Sequence, residues 1–267
     1  MKNLFSSNTH QKSRGFTLAE VLITLGIIGV VAAMTIPILI NNYEKTQCLT
    51  ALKKFYATFQ AGIKTYMVNQ DCSDLTCTSI FNGQGTGIEP AVTAALASAF
   101  KNSKKYPYND PSLVALYTKY LNYNNEGSFI DFDDSNYATY GIDNFLIKIV
   151  DSNAGNCTIG INDASDSKLK GYCAQLHVDV NGIKPPNRFG RDTFLFMLGN
   201  DGILYANGGV EAEKLITVNT GSVGEVDRWT SNVINCGTSG SSVIAKNTVQ
   251  GFLCAARIIE ENWQMNY

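Results

Sequence analysis

From Phe16 to Ile40 the chain reads FTLAEVLITLGIIGVVAAMTIPILI, with a single ionisable side chain, Glu20. At roughly 1.5 Å rise per residue, a helix over this stretch exceeds the ~30 Å hydrocarbon core of a bilayer. Such a segment needs shielding from water around its whole circumference, so it fixes one end of the architecture as a transmembrane helix. Lys2, Lys12 and Arg14 precede it without an acid, so segment 1–15 carries a charge of +3 and segment 16–267 a charge of −5. This Lys/Arg bias puts the N-terminus in the cytoplasm and the bulk of the chain outside. A cleaved secretory signal has a shorter apolar core, roughly 7 to 15 residues, and a small-x-small site after it. Here the run is longer and passes into Asn41, Asn42 and Tyr43.

Composition narrows the remainder. Charged residues make up 16% of the chain against a typical share of about 25%, and 45% are apolar, which excludes disorder as a description of the whole. The net charge of −2 offers no basic excess for phosphate-backbone binding, so no nucleic acid is expected as a partner. Seven cysteines are too few for a disulfide-dense miniprotein and more than a reducing compartment usually holds, so an oxidising location is expected.

A charge inside an apolar helix costs about 2.5–3.5 kcal/mol on insertion scales, so Glu20 calls for a cationic partner. Its surroundings, Arg14-Gly15-Phe16-Thr17-Leu18-Ala19-Glu20 followed by Gly29 and Pro37, resemble the class III signal of type IV pilins and type II secretion pseudopilins. The resemblance covers the chain as far as Ile40. It implies a leader, 1–15, removed after Gly15 by a prepilin peptidase that also N-methylates Phe16. It implies that Glu20, the fifth position of the mature chain, pairs with the N-terminal amine of a neighbouring pilin or pseudopilin subunit, two costly charges becoming tolerable as a pair. Gly29 and Pro37 fall at positions the family uses in assembly, and a helix-interior proline bends or locally melts its segment. Many pilin leaders are shorter than this one, which favours a minor component.

Beyond the span, Leu49, Leu52, Tyr56, Phe59, Ile63 and Tyr66 recur every three or four residues, the spacing of one apolar helical face. One helix is therefore expected from Phe16 to about Asn69, with 16–40 in the membrane, 41–69 as its amphipathic second half and 70–267 as a globular head. Short helices are expected at about 90–100 and 111–122. Strands are expected at Phe145–Val150, Cys173–Val180, Asp192–Leu198 and Ile203–Tyr205, the last two joined by an Asn200-Asp201-Gly202 hairpin, with a closing helix within Val249–Trp263. The fold class is α+β, a long helix on an antiparallel sheet, as the resemblance also implies.

The chemistry-bearing residues give little support for catalysis. His177 is the single histidine after the leader and sits in an alternating strand with no nucleophile motif nearby, so no catalytic residue is assigned and the chain is read as not an enzyme. Asn82-Gly83-Gln84-Gly85-Thr86-Gly87 lacks the spacing of a dinucleotide loop and reads as plain loop. Asp131, Asp133 and Asp134 read as a solvated acidic turn. Lys101, Lys104 and Lys105 form a small basic cluster, read as a solvated linker with a DNA contact as the alternative.

Six cysteines, Cys72, Cys77, Cys157, Cys173, Cys236 and Cys254, lie in the head, and Cys48 stands apart on the long helix. Six thiols permit about 15 pairings, and neighbour pairing, which would staple three local loops, is one of them. Zinc is disfavoured, because only Cys72 and Cys77 approach a ligand spacing. No cofactor is expected, with calcium as the one alternative. The segment from Asp179 to Asp192 resembles a loop of several pilin-like proteins, and some pseudopilins hold calcium in a head loop. Asp179, Asn181 and Asp192 would supply hard oxygen ligands there, although a rigid turn-rich loop is the expectation.

The sequence is thus read as a single-pass bacterial inner-membrane protein, a structural subunit of a type IV pilus or type II secretion pseudopilus, minor rather than major by its length. A tip adhesin or DNA-uptake pilin whose head binds a ligand is the alternative, and a membrane-tethered enzyme a third.

Overall fold

The computed structural model describes residues 15–81, 99–113, 138–151, 157, 172–185, 187–206, 234–236, 249–251 and 254–267. The expected helices at 90–100 and 111–122 lie almost wholly outside these, as do the glycine-rich loop at 82–87 and Asp131, Asp133 and Asp134. The chain divides into two units, Met1–Glu44 and Lys45–Tyr267.

Helix α1 spans Leu18–Asn69, 52 residues, and matches the expected long helix except that it starts at Leu18 rather than Phe16. In the first unit its large apolar side chains are exposed, Leu22, Ile28, Met34 and Leu39 among them, and it is long and apolar enough to cross a membrane. In the second unit one face is buried through Leu52, Phe55, Phe59, Ile63, Tyr66 and Met67. The expected stripe is thus rotated slightly: Leu49 and Tyr56 lie at its half-buried margin and Phe55 at its centre. Its C-terminus closes as a Schellman motif, with Cys72 N–H donating to Met67 O at 2.9 Å and Asp71 N–H to Val68 O at 3.0 Å. Asp71 takes the left-handed conformation that this motif requires, at φ 53°.

Six strands follow in one antiparallel meander, β1 Ser103–Tyr106, β2 Ala138–Ile142, β3 Phe145–Asp151, β4 Tyr172–Asp179, β5 Thr193–Gly199 and β6 Leu204–Ala206, paired in sequence order. The four expected strands are β3 to β6. Phe145 and Phe196 from this sheet meet Phe55 of α1, their ring centroids 5.5 and 5.8 Å away. Both faces of β5 are buried along its whole length, which suits its nearly continuous apolar run TFLFMLG.

The β5–β6 hairpin turns at Gly202, φ 76°, where an added Cβ would lie 2.6 Å from the Met67 sulfur, so only glycine fits both the turn and the close approach to α1. Asp201 holds the turn, its carboxylate accepting from Ile203 N–H at 2.9 Å and from the Tyr205 hydroxyl at 2.7 Å.

The expected closing helix lies within Val249–Trp263 but does not fill it. Ile234–Asn235 and Val249–Gln250 form two short parallel strands, β7 and β8, and helix α2 begins only at Cys254 and ends at Glu260. Gly251 separates β8 from α2 at φ 98°, where an added Cβ would lie 2.8 Å from the Phe189 carbonyl carbon, and a helix cannot pass through that conformation. Tyr267 then donates its hydroxyl to Gly190 O at 2.8 Å and lies under the Arg257 guanidinium, 5.3 Å from its ring centroid.

Three disulfides join Cys72 to Cys77, Cys157 to Cys173 and Cys236 to Cys254, which selects neighbour pairing. Cys48 is not in a disulfide and is half-buried against the core.

Candidate functional site

The first candidate is the start of α1. Thr17 is its N-cap and Glu20 its third helical residue, so T-L-A-E forms a capping box. Thr17 N–H and Thr17 Oγ1 both donate to Glu20 Oε2 at 2.8 Å, and Glu20 N–H donates to Thr17 Oγ1 at 3.2 Å. Two of the helix's orphan backbone donors are thereby satisfied by side chains of its own first turn. The spacing Thr-x-x-Glu is itself the sequence signal of this cap, and it gives Thr17 a role beside Glu20.

Gly29 lies on the exposed surface of α1, with nothing within 4 Å of where a Cβ would stand. Pro37 lies inside the helix, which continues through it to Asn69. Its missing N–H deprives the Ala33 carbonyl of a helical donor, yet no melted segment appears at Pro37 in the single chain.

The second candidate is the loop between β4 and β5, where Asp179, Asn181 and Asp192 come together. Asp179 is fully buried and accepts Asn181 N–H at 3.0 Å. Asp192 is also fully buried and accepts four donors. Its Oδ1 receives Arg188 N–H at 2.6 Å and the Thr193 hydroxyl at 3.4 Å; its Oδ2 receives Asn187 N–H at 2.7 Å and Asn181 Nδ2 at 3.2 Å. Burial pushes the Asp192 carboxyl up to about 6, against the downward pull of the Arg188, Asn187 and Asn181 donors. Gly182, φ 70°, packs on the β2–β3 turn, where an added Cβ would lie 2.7 Å from Asn144 O.

His177 stands opposite Lys148 across β3–β4 and opposite Leu195 across β4–β5, with Phe189 edge-on at 6.4 Å. Burial, and then the Lys148 cation, lower its pKa to about 4, so it is neutral at physiological pH. No serine or cysteine nucleophile is placed beside it in the register. Among the described residues, no group of three His, Cys, Asp or Glu side chains is placed to hold a metal ion.

The lysine cluster is not a linker. Lys104 and Lys105 are consecutive residues of edge strand β1, so their side chains leave opposite faces of the sheet. Lys104 covers the Tyr106 ring, two positions along on its own face, at 4.3 Å. Lys104 and Lys105 are therefore divided between the two faces of the sheet edge, while Lys101 lies in the turn before β1.

Residues 10–36 match the family model described as the prokaryotic N-terminal methylation motif. The match contains Gly15, Phe16, Glu20 and Gly29 and ends just before Pro37. No curated protein and no solved structure matches the chain.

Proposed function

We propose that this chain, which carries the type IV pilin and pseudopilin signal, is a minor structural subunit of a type IV pilus or a type II secretion pseudopilus. The signal implies processing by prepilin peptidase and assembly with other pilin subunits, and proteins with it are structural rather than enzymatic. The observation that carries the reading is the coincidence of that motif with an exposed apolar stretch, Phe16–Ile40, whose sole ionisable side chain is Glu20, held at the helix start. In this reading the peptidase cuts between Gly15 and Phe16 and methylates the Phe16 amine. The span anchors the subunit in the inner membrane with the head outside, and the three disulfides suit an oxidising compartment. The lone carboxylate has a reason to exist in lipid if a neighbour's N-terminal amine neutralises it, while Gly29 and Pro37 shape the packed helix.

Mass spectrometry of membrane and sheared-filament fractions tests this. The expected first residue is N-methylated Phe16; an intact Met1, or a cut after Ile40, refutes the processing. Glu20→Val should still insert in the membrane yet be lost from the filament fraction, and normal incorporation would overturn the pairing role.

A further inference from the structure

The β4–β5 loop has the residue types of a calcium loop but the wiring of something else. From Asp179 to Asp192 it carries three cations, Lys184, Arg188 and Arg191, against two carboxylates. That is a net +1 where calcium calls for an excess of negative oxygen ligands. A carboxylate has about four lone-pair sites, and all four at Asp192 are taken by the donors of Asn181, Asn187, Arg188 and Thr193. In a calcium loop oxygens converge on a cation; here N–H and O–H groups converge on an anion. Asn181 completes the inversion, since its Nδ2 bridges Asp192 and Pro185 O, at 3.2 and 3.3 Å. Turning the amide over would set its oxygen against the carboxylate. Asn187 reaches its place with φ 50°, a backbone cost that its N–H bond to Asp192 offsets.

We infer that Asp192 itself is the ion around which this loop closes, and that the head holds the loop without calcium. The donor set does not fit the metal. Asp192 has no oxygen lone pair to give, and the buried oxygens that accept no hydrogen bond, Asn181 Oδ1 and Asn187 Oδ1, are neutral amides. With Asp192 occupied, Asp179 is the one carboxylate of the loop left to offer, and the rest of calcium's six to eight oxygens would have to be neutral amides, backbone carbonyls and water. The loop is then a rigid support for its exposed tip, Ile183, Lys184 and Pro185. The inference does not depend on the assembly role, because it concerns how the head closes.

Thermal unfolding of the full chain in detergent, followed in millimolar calcium chloride and in EGTA, tests it. The expected Tm is the same in both. Asp192→Asn turns two of the four acceptor sites into donors, and should lower Tm by about 5–10 °C whether or not calcium is present. Asn181→Ala removes one donor and should give a smaller fall, which keeps the hub testable should Asp192→Asn not fold. A saturable rise of the wild-type Tm with calcium that is lost in Asp179→Ala would overturn the inference. An unchanged Tm in Asp192→Asn or in Asn181→Ala would overturn it equally.

Discussion

Gly62 lies in the interior of α1, where alanine is normally preferred over glycine by about 1 kcal/mol, and yet Gly62→Ala is expected to destabilise. A Cβ at Gly62 would stand 2.3 Å from Phe100 Cε1 and 2.4 Å from its Cζ, whereas carbon atoms rest about 3.5–4.0 Å apart. The ring must therefore move by more than about 1 Å to restore that spacing. Phe100 is 5% exposed and stacks on Phe59 at 5.4 Å and 24°. Displacing it forfeits about 1.5–3 kcal/mol of burial and about 0.5–1.5 kcal/mol of ring pairing. Subtracting the helical gain leaves a net loss of about 1–3.5 kcal/mol, or about 2–14 °C in Tm for a chain of this size. The assay is thermal unfolding in detergent, read by near-ultraviolet circular dichroism. The decisive arm is a double-mutant cycle with Phe100→Ala. Once the ring is gone, Gly62→Ala should stabilise by about 1 kcal/mol, so the sign of its effect reverses between backgrounds. A Gly62→Ala protein more stable than wild type, or an equal effect in both backgrounds, would refute the notch between helix and ring.

Two further outcomes are expected of the head. Replacing Cys157 and Cys173 together by serine should cost about 3 kcal/mol in the chain-entropy account, and the short Cys72–Cys77 loop about 2 kcal/mol, read as denaturant midpoints; equal losses would discredit the loop-length reasoning. His177 has a folded pKa of about 4, below the ordinary value of 6.5. The unfolded chain therefore binds the proton first, so the histidine's contribution is complete above about pH 6.5 and is lost as pH falls towards 4. That loss approaches roughly 3 kcal/mol, and Asp192, raised to about 6, opposes it over part of the same window. His177→Gln should consequently flatten or invert the acid limb of the stability profile, and an unchanged acid limb would show that His177 is not buried neutral.

Much of this fold was legible because its strongest signals are local. The apolar run and the three-to-four spacing after it define α1 almost to its ends, and the Asn200-Asp201-Gly202 turn locates β5 and β6. What escaped was set by partners distant in sequence. Ser103–Tyr106 holds two lysines and no core residue, so nothing in its composition announces a strand; it becomes one by pairing with Ala138–Ile142. The β2–β3 hairpin had a readable signal in Asp143-Asn144, whose first residue takes φ 53°. The break at Gly251 depends on the Phe189 backbone lying against it. At the candidate sites, oxygen-bearing residues in the right stretch were visible, but whether they face a cation or one another is decided by backbone direction, which residue types do not encode.

The cysteine connectivity has a consequence for how the head matures. No bridge encloses or crosses another: Cys72 joins Cys77, Cys157 joins Cys173 and Cys236 joins Cys254. In the proposed topology the head follows the span into an oxidising space in sequence order, so the leading cysteine of each pair meets its native partner as the next thiol to arrive. Cys48 is the one residue that could spoil this order, since it arrives before Cys72. Its position in α1 keeps it roughly 30 Å of helix away from the Asn69 end, far beyond the ~7 Å between Cα atoms that a disulfide can span. Early formation of that helix takes the odd thiol out of the competition, and oxidation in order of arrival then yields the native set.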